Sequence, residues 1–449
     1  MDFQGNNLKN SLENLRIVLF LISWIGAISS ILWISNQNVL IPFGTSAFAL
    51  FLILTLFRVK YQSLLIILFL LIIYILIIGR PPSFFELSEA GKYIIIFAGL
   101  IPTMGLVRAT AQKLDQVKNS QELLSKLPFD SLASGFQITA HVLGSVINTG
   151  VFAILAAAMP RSIEVKYRKL VAEATLRGMV SSATWSPFFV AFVVGQVYVD
   201  AQSAWAGLAV GLLLGTGFSL GSLFLLNKGL NWKQLKGSLA CLRPMLSTLS
   251  LIIVLVVGSA LIFGLTALSA IIIVMPLLVS CYFIKTPRNI APVLSETIIY
   301  LKKNTDDVAI ISCAMVIGYF VTNSPEALKI IENMDLIVIP SWSILIFIPT
   351  TMTLLSLIGI HPVISSTTLL SIFTTSFHDI SPTLIMQAHL LGWCTGTMSS
   401  VASLSVITCS SLFQISSFKL CFGINSLVAT IFALCGGGTL ALANQLANI

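Results

Sequence analysis

Charged residues are scarce in this chain. They make up 9% of its 449 residues, whereas hydrophobic residues make up 56%. Soluble domains carry about 25% charged residues, so this composition excludes an ordinary soluble protein. Residues 64–78 form one of several stretches without any charge. Because a helix that crosses a membrane needs about 20 apolar residues, the sequence predicts an all-α polytopic membrane protein.

Common signatures of enzymes and metal sites are also missing. The chain has no HExxH motif and no P-loop, and its seven cysteines include no CxxC pair. The formal net charge of +8 comes from Lys and Arg between apolar runs, where basic residues record membrane orientation. We therefore expect a protein that is not an enzyme, that has no cofactor beyond a coupling ion, and that binds the lipid bilayer but no nucleic acid.

Acidic residues are absent from the apolar runs. All 17 Asp and Glu residues fall in loops, at span ends or in a terminus. Proton pumps and many cation antiporters use carboxylates inside the membrane, so this pattern argues against those classes. No buried arginine is expected within the spans either.

Apolar runs predict about eleven transmembrane helices. They are expected near residues 16–35, 38–57, 62–79, 92–107, 179–198, 204–226, 245–263, 264–284, 308–322, 383–410 and 420–441. Two further segments, 129–160 and 337–377, are too long for one crossing, and each has polar residues near its middle. We interpret both as re-entrant hairpins.

The distribution of basic residues supports this interpretation. With a cytoplasmic N-terminus and two re-entrant hairpins, every Lys and Arg except Arg80, Lys92 and Lys329 faces the cytoplasm. That is the asymmetry which the positive-inside rule describes. The hairpins then enter from opposite faces, as an inverted repeat requires, and the C-terminus is extracytoplasmic.

The same order of three spans, hairpin, broken span and span occurs twice and predicts two inverted repeats. The predicted segments are residues 1–37 for a first span outside the repeat, 38–226 for repeat 1 with hairpin 129–160 and broken span 179–198, and 245–441 for repeat 2 with hairpin 337–377 and broken span 383–410.

Polar or helix-breaking residues interrupt both hairpins and both broken spans. The offset from Asn148 to His361 is 213 residues, and the offset from Thr184 to Thr397 is the same. Such residues are tolerated at membrane depth where they are buried in protein or line a cavity, and paired breaks point to the substrate site of a secondary transporter. The candidate substrate- and ion-binding residues are Asn148, Thr149, Ser181, Ser182, Thr184, Ser186, His361, Ser365, Ser366, Thr395, Thr397 and Ser399.

The chemistry of these residues suits ions. Amide, hydroxyl and freed carbonyl oxygens are hard ligands, so we expect Na+ near Asn148, Thr149 and Thr397. The N-termini of half-helices favour an anion. His361 changes charge near neutral pH, which makes H+ the other candidate coupling ion. The alternative is that Asn148 and Thr149 join helices and that His361 is a neutral hydrogen-bonding residue.

Two stretches carry a family resemblance. Ile147-Asn148-Thr149, with the apolar arm that ends at Pro160, resembles the Ser-Asn-Thr hairpin tip of the ion transporter superfamily, within it the divalent anion:sodium symporters and citrate-type carriers. The stretch 182–187 is similar to the break that follows in those families. The second Ser-Asn-Thr is replaced here by residues 360–362. The resemblance implies a homodimer, a scaffold domain, a mobile transport domain with elevator-type motion, and Na+ at both tips.

These features together predict an ion-coupled secondary transporter. Its expected substrate is a small organic anion of the di- or tricarboxylate type, carried across a bacterial inner membrane. Two other functions stay open: a metalloid-oxyanion or cation exporter of the same superfamily, and an integral membrane enzyme acting on lipid-linked substrates. Such an enzyme usually needs a sizeable extracytoplasmic loop, and the largest one expected here, around 323–336, is short.

The predicted topology can be tested by labelling. In a cysteine-free variant, single cysteines placed near residues 120, 170, 235 and 295 should react with an impermeant thiol reagent only from the cytoplasmic side. Cysteines near 201 and 330 should react only from outside. Labelling of positions 120 and 170 from opposite sides would mean that the first hairpin crosses the membrane, and the inverted repeat would then be wrong.

Overall fold

The computed structural model describes residues 2–160, 163–226, 232–333, 339–376 and 379–447, and this part of the chain contains helices and no strand. The predicted all-α class is therefore confirmed. Arg161, Lys228 and the hairpin positions 337, 338 and 377 lie outside the described residues. In chain order the helices are α1 (Asp2–Leu32), α2 (Gln37–Leu56), α3 (Tyr61–Ile78), α4 (Phe84–Ala111), α5 (Asp115–Ser125), α6 (Phe129–Ile147), α7 (Gly150–Ala158), α8 (Val165–Ser181), α9 (Val190–Gly195), α10 (Ala201–Leu226), α11 (Trp232–Ala240), α12 (Leu246–Phe263), α13 (Ala267–Lys285), α14 (Ile290–Lys303), α15 (Thr305–Asn323), α16 (Pro325–Asn333), α17 (Ser341–Leu357), α18 (Pro362–Ser376), α19 (Pro382–Ser399), α20 (Leu404–Phe413), α21 (Ser417–Cys421) and α22 (Ile424–Ala447).

Ten stretches of the described chain are long and apolar enough to cross a membrane. They coincide with the predicted spans except at 179–198, where α8 ends at Ser181 and α9 is only six residues long. Large apolar side chains lie exposed along these spans, for example Leu65, Ile72 and Leu261. Such surfaces need an apolar surrounding. The chain is therefore an integral membrane protein.

The described residues form two compact units. The first comprises the chain up to Thr110 together with Leu255–Asn333, and the second comprises Ala111–Val254 and the described residues from 339 onward. Helices α1–α4 and α13–α16 belong to the first unit. Each predicted repeat thus contributes helices to both units, since its first spans lie in one and its hairpin and broken span lie in the other.

Aromatic rings and small residues pack the start of the first unit. The rings of Phe20, Phe48 and Phe51 are mutual neighbours, with centroids 4.5 to 5.6 Å apart. Gly26 of α1 faces Gly44 of α2 so closely that a Cβ on Gly26 would lie 2.9 Å from the Gly44 Cα. Small residues let helix backbones approach in membranes, and α1 and α2 pack in this way.

Arg80, one of the three basic residues predicted to lie outside, is fully engaged by carboxylates. Its guanidinium donates two hydrogen bonds to Glu86, at 2.7 and 3.0 Å, and a third to Glu326 at 2.8 Å. These hydrogen bonds lower the pKa of Glu326 and raise the pKa of Arg80. The Tyr74 hydroxyl also donates to the Arg80 carbonyl oxygen. The cluster therefore has no excess positive charge.

The second unit has a polar and deeply buried centre. Nearly all of α6 and α19 is buried, as is α8 from Val171 onward. Helix α6 packs along α8, and α17 packs along α19. Gly178 of α8 lies against the Gln137 backbone of α6, where a Cβ would meet the Gln137 carbonyl group. This approach brings the polar side chains of both helices together.

The Gly178 contact yields a stability prediction. Gly178→Ala should destabilise the protein by about 1–3 kcal/mol, because the added methyl group overpacks a backbone contact. Gly217→Ala is the matched control, since Gly217 is also helical and a Cβ there would meet nothing within 4 Å. Melting temperatures in detergent should fall for the first variant and stay level or rise for the second. Equal melting temperatures would contradict the close packing.

Candidate substrate site at the helix interruptions

Four interruptions divide the central helices of the second unit. The first two lie between α6 and α7 at Asn148-Thr149, and between α8 and α9 at residues 182–189. The other two lie between α17 and α18 at residues 358–361, and between α19 and α20 at residues 400–403. Each interruption frees backbone N–H and C=O groups that a continuous helix would satisfy. The candidate site residues all lie at or near these four places.

The first interruption is made by Asn148 itself. Its φ is 50° and its ψ is −136°, a positive-φ conformation that residues other than glycine rarely adopt. Its Oδ1 accepts a hydrogen bond of 2.7 Å from the Thr149 N–H. The Asn148 side chain is half-buried, whereas Thr149 is buried. The Asn148 amide is thus the accessible polar group at this tip.

The corresponding tip of the second half is built differently. Gly359 takes the positive φ, at 93°, and His361 follows it. The His361 Nδ1 accepts a hydrogen bond of 3.2 Å from the Val363 N–H and so caps α18. Its ring lies edge-on to Trp393, with centroids 6.4 Å apart. His361 therefore corresponds to Asn148 in the 213-residue repeat, but it caps a helix and does not itself take the positive φ. Its half-buried ring contacts α19.

Buried hydroxyl groups satisfy the interruption after α8. Ser182 donates to the Met179 carbonyl oxygen at 2.6 Å, and Thr184 donates to the Ser181 and Gly211 carbonyl oxygens at 2.8 and 2.9 Å. Ser186 donates to the Ser145 carbonyl oxygen and accepts from the Phe188 N–H. These hydroxyl protons are therefore already engaged with the backbone.

An amide on another helix completes this interruption. The Gln387 side chain of α19, with its nitrogen facing two carbonyl oxygens, donates to Gly207 at 2.9 Å and to Thr184 at 3.1 Å. Gly211 lies against the same Thr184 carbonyl group, and a side chain there would displace it. Helices α10 and α19 thus hold the broken span in place. Sequence inspection overlooked Gln387, although an amide inside an apolar run is a visible signal.

The fourth interruption lies later in the chain than predicted. Thr395, Thr397 and Ser399 were expected to break the span, but α19 continues through all three and ends at Ser399. The hydroxyl groups of Thr395, Thr397 and Ser399 donate to carbonyl oxygens three or four residues earlier, which allows them to sit in a helix. The actual break starts at Ser400, in extended conformation, and ends at Ser403, which caps α20 by accepting from the Val406 N–H.

Other contacts at the second hairpin join helices to each other. The hydroxyl groups of Thr353 and Thr395 are 2.6 Å apart and link α17 to α19. Ser365 donates to the Pro362 carbonyl oxygen at 3.2 Å within α18. In the part of the chain that the structure describes, the hydroxyl groups of Ser356 and Ser400 are buried without a hydrogen-bond partner. These two side chains therefore retain hydrogen-bonding capacity that the fold does not use.

His141 forms a directed hydrogen-bond chain. The Trp185 indole N–H donates to His141 Nε2 at 3.2 Å, so this nitrogen is the acceptor and Nδ1 carries the proton. Nδ1 lies 2.9 Å from the Ser181 hydroxyl, which donates to the Gly178 carbonyl oxygen at 2.8 Å. This pattern fits a neutral imidazole that positions Trp185 beside the break.

His389 is likewise fully engaged. Its Nε2 lies 2.8 Å from the Ala191 carbonyl oxygen and donates to it, and its Nδ1 accepts from the Ser366 hydroxyl at 2.9 Å. The predicted site residue Ser366 is thus bound to His389 on α19. Both histidines act as structural connections between elements of the second unit.

Accessibility separates the candidate residues into two groups. Nine of the twelve are buried, namely Thr149, Ser181, Ser182, Thr184, Ser186, Ser365, Ser366, Thr395 and Ser399. The other three, Asn148, His361 and Thr397, are half-buried. His361 and Thr397 both contact Trp393, through its ring and its carbonyl oxygen respectively. Part of each of these three side chains is therefore exposed.

Two arginines contradict the prediction that no arginine is buried, Arg16 in α1 and Arg177 in α8. Arg177 was assigned to a cytoplasmic loop, but it lies in α8 and its side chain is only 3% exposed. It donates to the Asn425 side-chain oxygen at 2.8 Å. Sequence inspection missed it because several basic residues precede it and suggested a loop.

A short sequence pattern in α10 has the spacing of a hydrolase motif. Residues 217–221 read Gly-Phe-Ser-Leu-Gly, but they lie in an uninterrupted helix. The nucleophile of such hydrolases requires a sharp turn between a strand and a helix. The pattern therefore has no catalytic geometry in this protein, and Ser219 instead contacts Gln137.

No family model matches the chain, and no curated protein sequence matches it. Among solved structures, the chain is similar to the YdaH transporter of Alcanivorax borkumensis, described as having an unusual topology. The two share 15% sequence identity with a TM-score of 0.42, and the similarity covers 78% of this chain and 85% of that one.

Proposed function

We propose that this protein is a secondary active transporter of a small organic anion. The observation that carries the proposal is the set of four interruptions in one unit, which occur in the same order in both halves of the chain. In each half of the chain, a hairpin of two helices with a break between them is followed by a broken span. Helix α6 packs along α8 in the first half, and α17 packs along α19 in the second. Discontinuous helices of this kind form the substrate sites of many transporters.

In this proposal the hairpins are re-entrant and the half-buried side chains at the breaks meet the substrate. Asn148 offers an amide, and His361 and Thr397 flank Trp393. The N-termini of α7 and α18 supply N–H groups and partial positive charge to an anion. The substrate is of the di- or tricarboxylate type, and Na+ or H+ supplies the driving force.

The further features are proposed from the charge pattern and repeated order of the sequence and from the family resemblance. They are a homodimer in a bacterial inner membrane, an inverted repeat, and elevator-type alternating access in which the unit that carries the breaks is the mobile body. Uptake of radiolabelled succinate, citrate and related anions into proteoliposomes, with an imposed Na+ or pH gradient, tests the proposal. Gradient-independent or absent uptake of every anion in the panel would contradict it. Transport of arsenite alone would favour the metalloid exporter.

Asn148 provides the sharpest test of the site. Asn148→Ala should weaken binding of the transported anion about tenfold to hundredfold, since a lost polar contact in a buried site is worth on the order of 1–3 kcal/mol. Asn38→Ala, at an exposed Asn in α2, is the matched control. Uptake and substrate-induced thermal stabilisation should fall only for Asn148→Ala. Wild-type affinity in that variant would exclude Asn148 from the site.

A second substitution tests the coupling ion. His361→Asn removes the titratable group but keeps an acceptor that can bond the Val363 N–H. If H+ is carried by His361, uptake should lose its dependence on a pH gradient while any dependence on Na+ persists. Both gradients are imposed separately on the same liposomes. An unchanged response to the pH gradient would assign His361 a capping role alone.

A further inference from the structure

A buried basic cluster lies in the second unit, in the part of α8 that precedes the interruption at residues 182–189. Arg177 of α8 is its centre, and the hydrogen bonds of its guanidinium go to amide oxygens. Nη1 donates to Asn425 Oδ1 at 2.8 Å, and Nε approaches Gln137 Oε1 at 3.4 Å. Both amides are completely buried, on α22 and α6 respectively. Three helices of one unit therefore converge on this guanidinium.

The orientation of Gln137 is fixed from its other side. Its Nε2 donates to the Ser219 carbonyl oxygen and to the Ser222 hydroxyl, each at 2.7 Å. This leaves Oε1 facing Arg177. Because these two contacts with α10 need an N–H donor, residue 137 is an amide and not a carboxylate, and its oxygen lies next to the Arg177 charge.

The positive charge of this cluster exceeds its negative charge. Lys169, Glu173 and Arg177 recur every four residues on one face of α8, and Glu173 pairs with Lys169 at 3.5 Å. Within the described part of the chain, Arg177 forms no ion pair, although the Glu173 charge acts on it from one turn away. Two cations thus share one anion. Buried charges are normally paired or hold a ligand.

A second observation points to a missing acceptor. Asn425 Nδ2 is buried and has no hydrogen-bond partner among the described residues, although its side-chain oxygen is bound to Arg177. A buried unpaired donor is destabilising by about 1–3 kcal/mol. The cluster therefore combines an unpaired donor with unbalanced positive charge, and an anionic acceptor would satisfy both.

We propose that Arg177 and Asn425 bind a carboxylate group of the transported anion. This inference rests on the proposed function and adds the residues that recognise charge. A guanidinium presents parallel N–H donors that match a carboxylate, and Asn425 Nδ2 adds one more. Arg177 lies one helical turn before Ser181, where α8 ends. One carboxylate of a dicarboxylate would then bind this cluster, and the other would bind at the interruptions.

Asn425→Asp is the decisive variant because it fills the site with a fixed negative charge. The new carboxylate would replace both the Asn425 oxygen that Arg177 binds and the unpaired donor. We measure melting temperatures of the full-length protein in detergent, with acetate, succinate or citrate as sodium salts at matched Na+. The variant should melt at a higher temperature without ligand, and the stabilisation that these anions give the wild type should disappear.

Arg177→Gln and Arg177→Lys complete the series. The apparent dissociation constant of the stabilising anion should rise at least tenfold in Arg177→Gln. It should rise less in Arg177→Lys, which keeps the positive charge but loses the parallel N–H donors of the guanidinium. Lys166→Gln removes the same charge from an exposed position of α8 and should bind as the wild type does. If Arg177→Gln fails to fold, Asn425→Asp alone decides.

The outcomes separate this inference from the transport proposal. Retained stabilisation in Asn425→Asp, equal stabilisation of the wild type by chloride, or no stabilisation by any of the three carboxylates would overturn the Arg177 site. Anion uptake in proteoliposomes is measured independently. If anion uptake persists but the Arg177 site is overturned, the protein is still a transporter. If stabilisation by anions depends on Arg177 but no uptake occurs, the cluster binds an anion that the protein does not transport.

Discussion

The backbone groups set free at the four interruptions constrain the rest of the second unit. In a membrane no solvent is available to hydrogen-bond them, so the protein must provide the partners. The Thr184 carbonyl oxygen obtains one from Gln387, and the Ser145 carbonyl oxygen obtains one from Ser186. Each such bond ties a broken helix to a neighbour. The arrangement of α6, α10 and α19 around the break follows from these bonds.

The same constraint divides the polar residues by role. Hydroxyl groups at the breaks that donate to carbonyl oxygens, such as Thr184 and Ser399, have their protons committed to the fold. Asn148 and His361 stand at tips where part of the side chain stays accessible. A count of polar residues at membrane depth thus overestimates the number with free hydrogen-bonding capacity, because most of them stabilise the broken helices.

Sequence reasoning located the interruptions more reliably than it located their chemistry. The polar tips at Asn148 and near His361 were recognisable because helix-breaking residues stand out in apolar runs. The continuous helix through Thr395 and Thr397 was not recognisable from the sequence. Hydroxyl groups that hydrogen-bond to their own helix cannot be told in sequence from those that interrupt one. Arg177 was misassigned because charge density suggests a loop, whereas its burial depends on Gln137 and Asn425, which are distant in sequence.

The Arg80 cluster bears on how the chain enters the membrane during synthesis. Glu86 is only six residues from Arg80 and binds it through two hydrogen bonds, so this pair can form as soon as α3 and α4 emerge. Glu326 joins only after a further 240 residues have been made. In the proposed topology Arg80 must pass the bilayer, and a basic residue opposes this step. Because Glu86 can pair with Arg80 early, the loop between α3 and α4 crosses without the net charge of Arg80. Glu326 of α16 then binds Arg80 once it has been made.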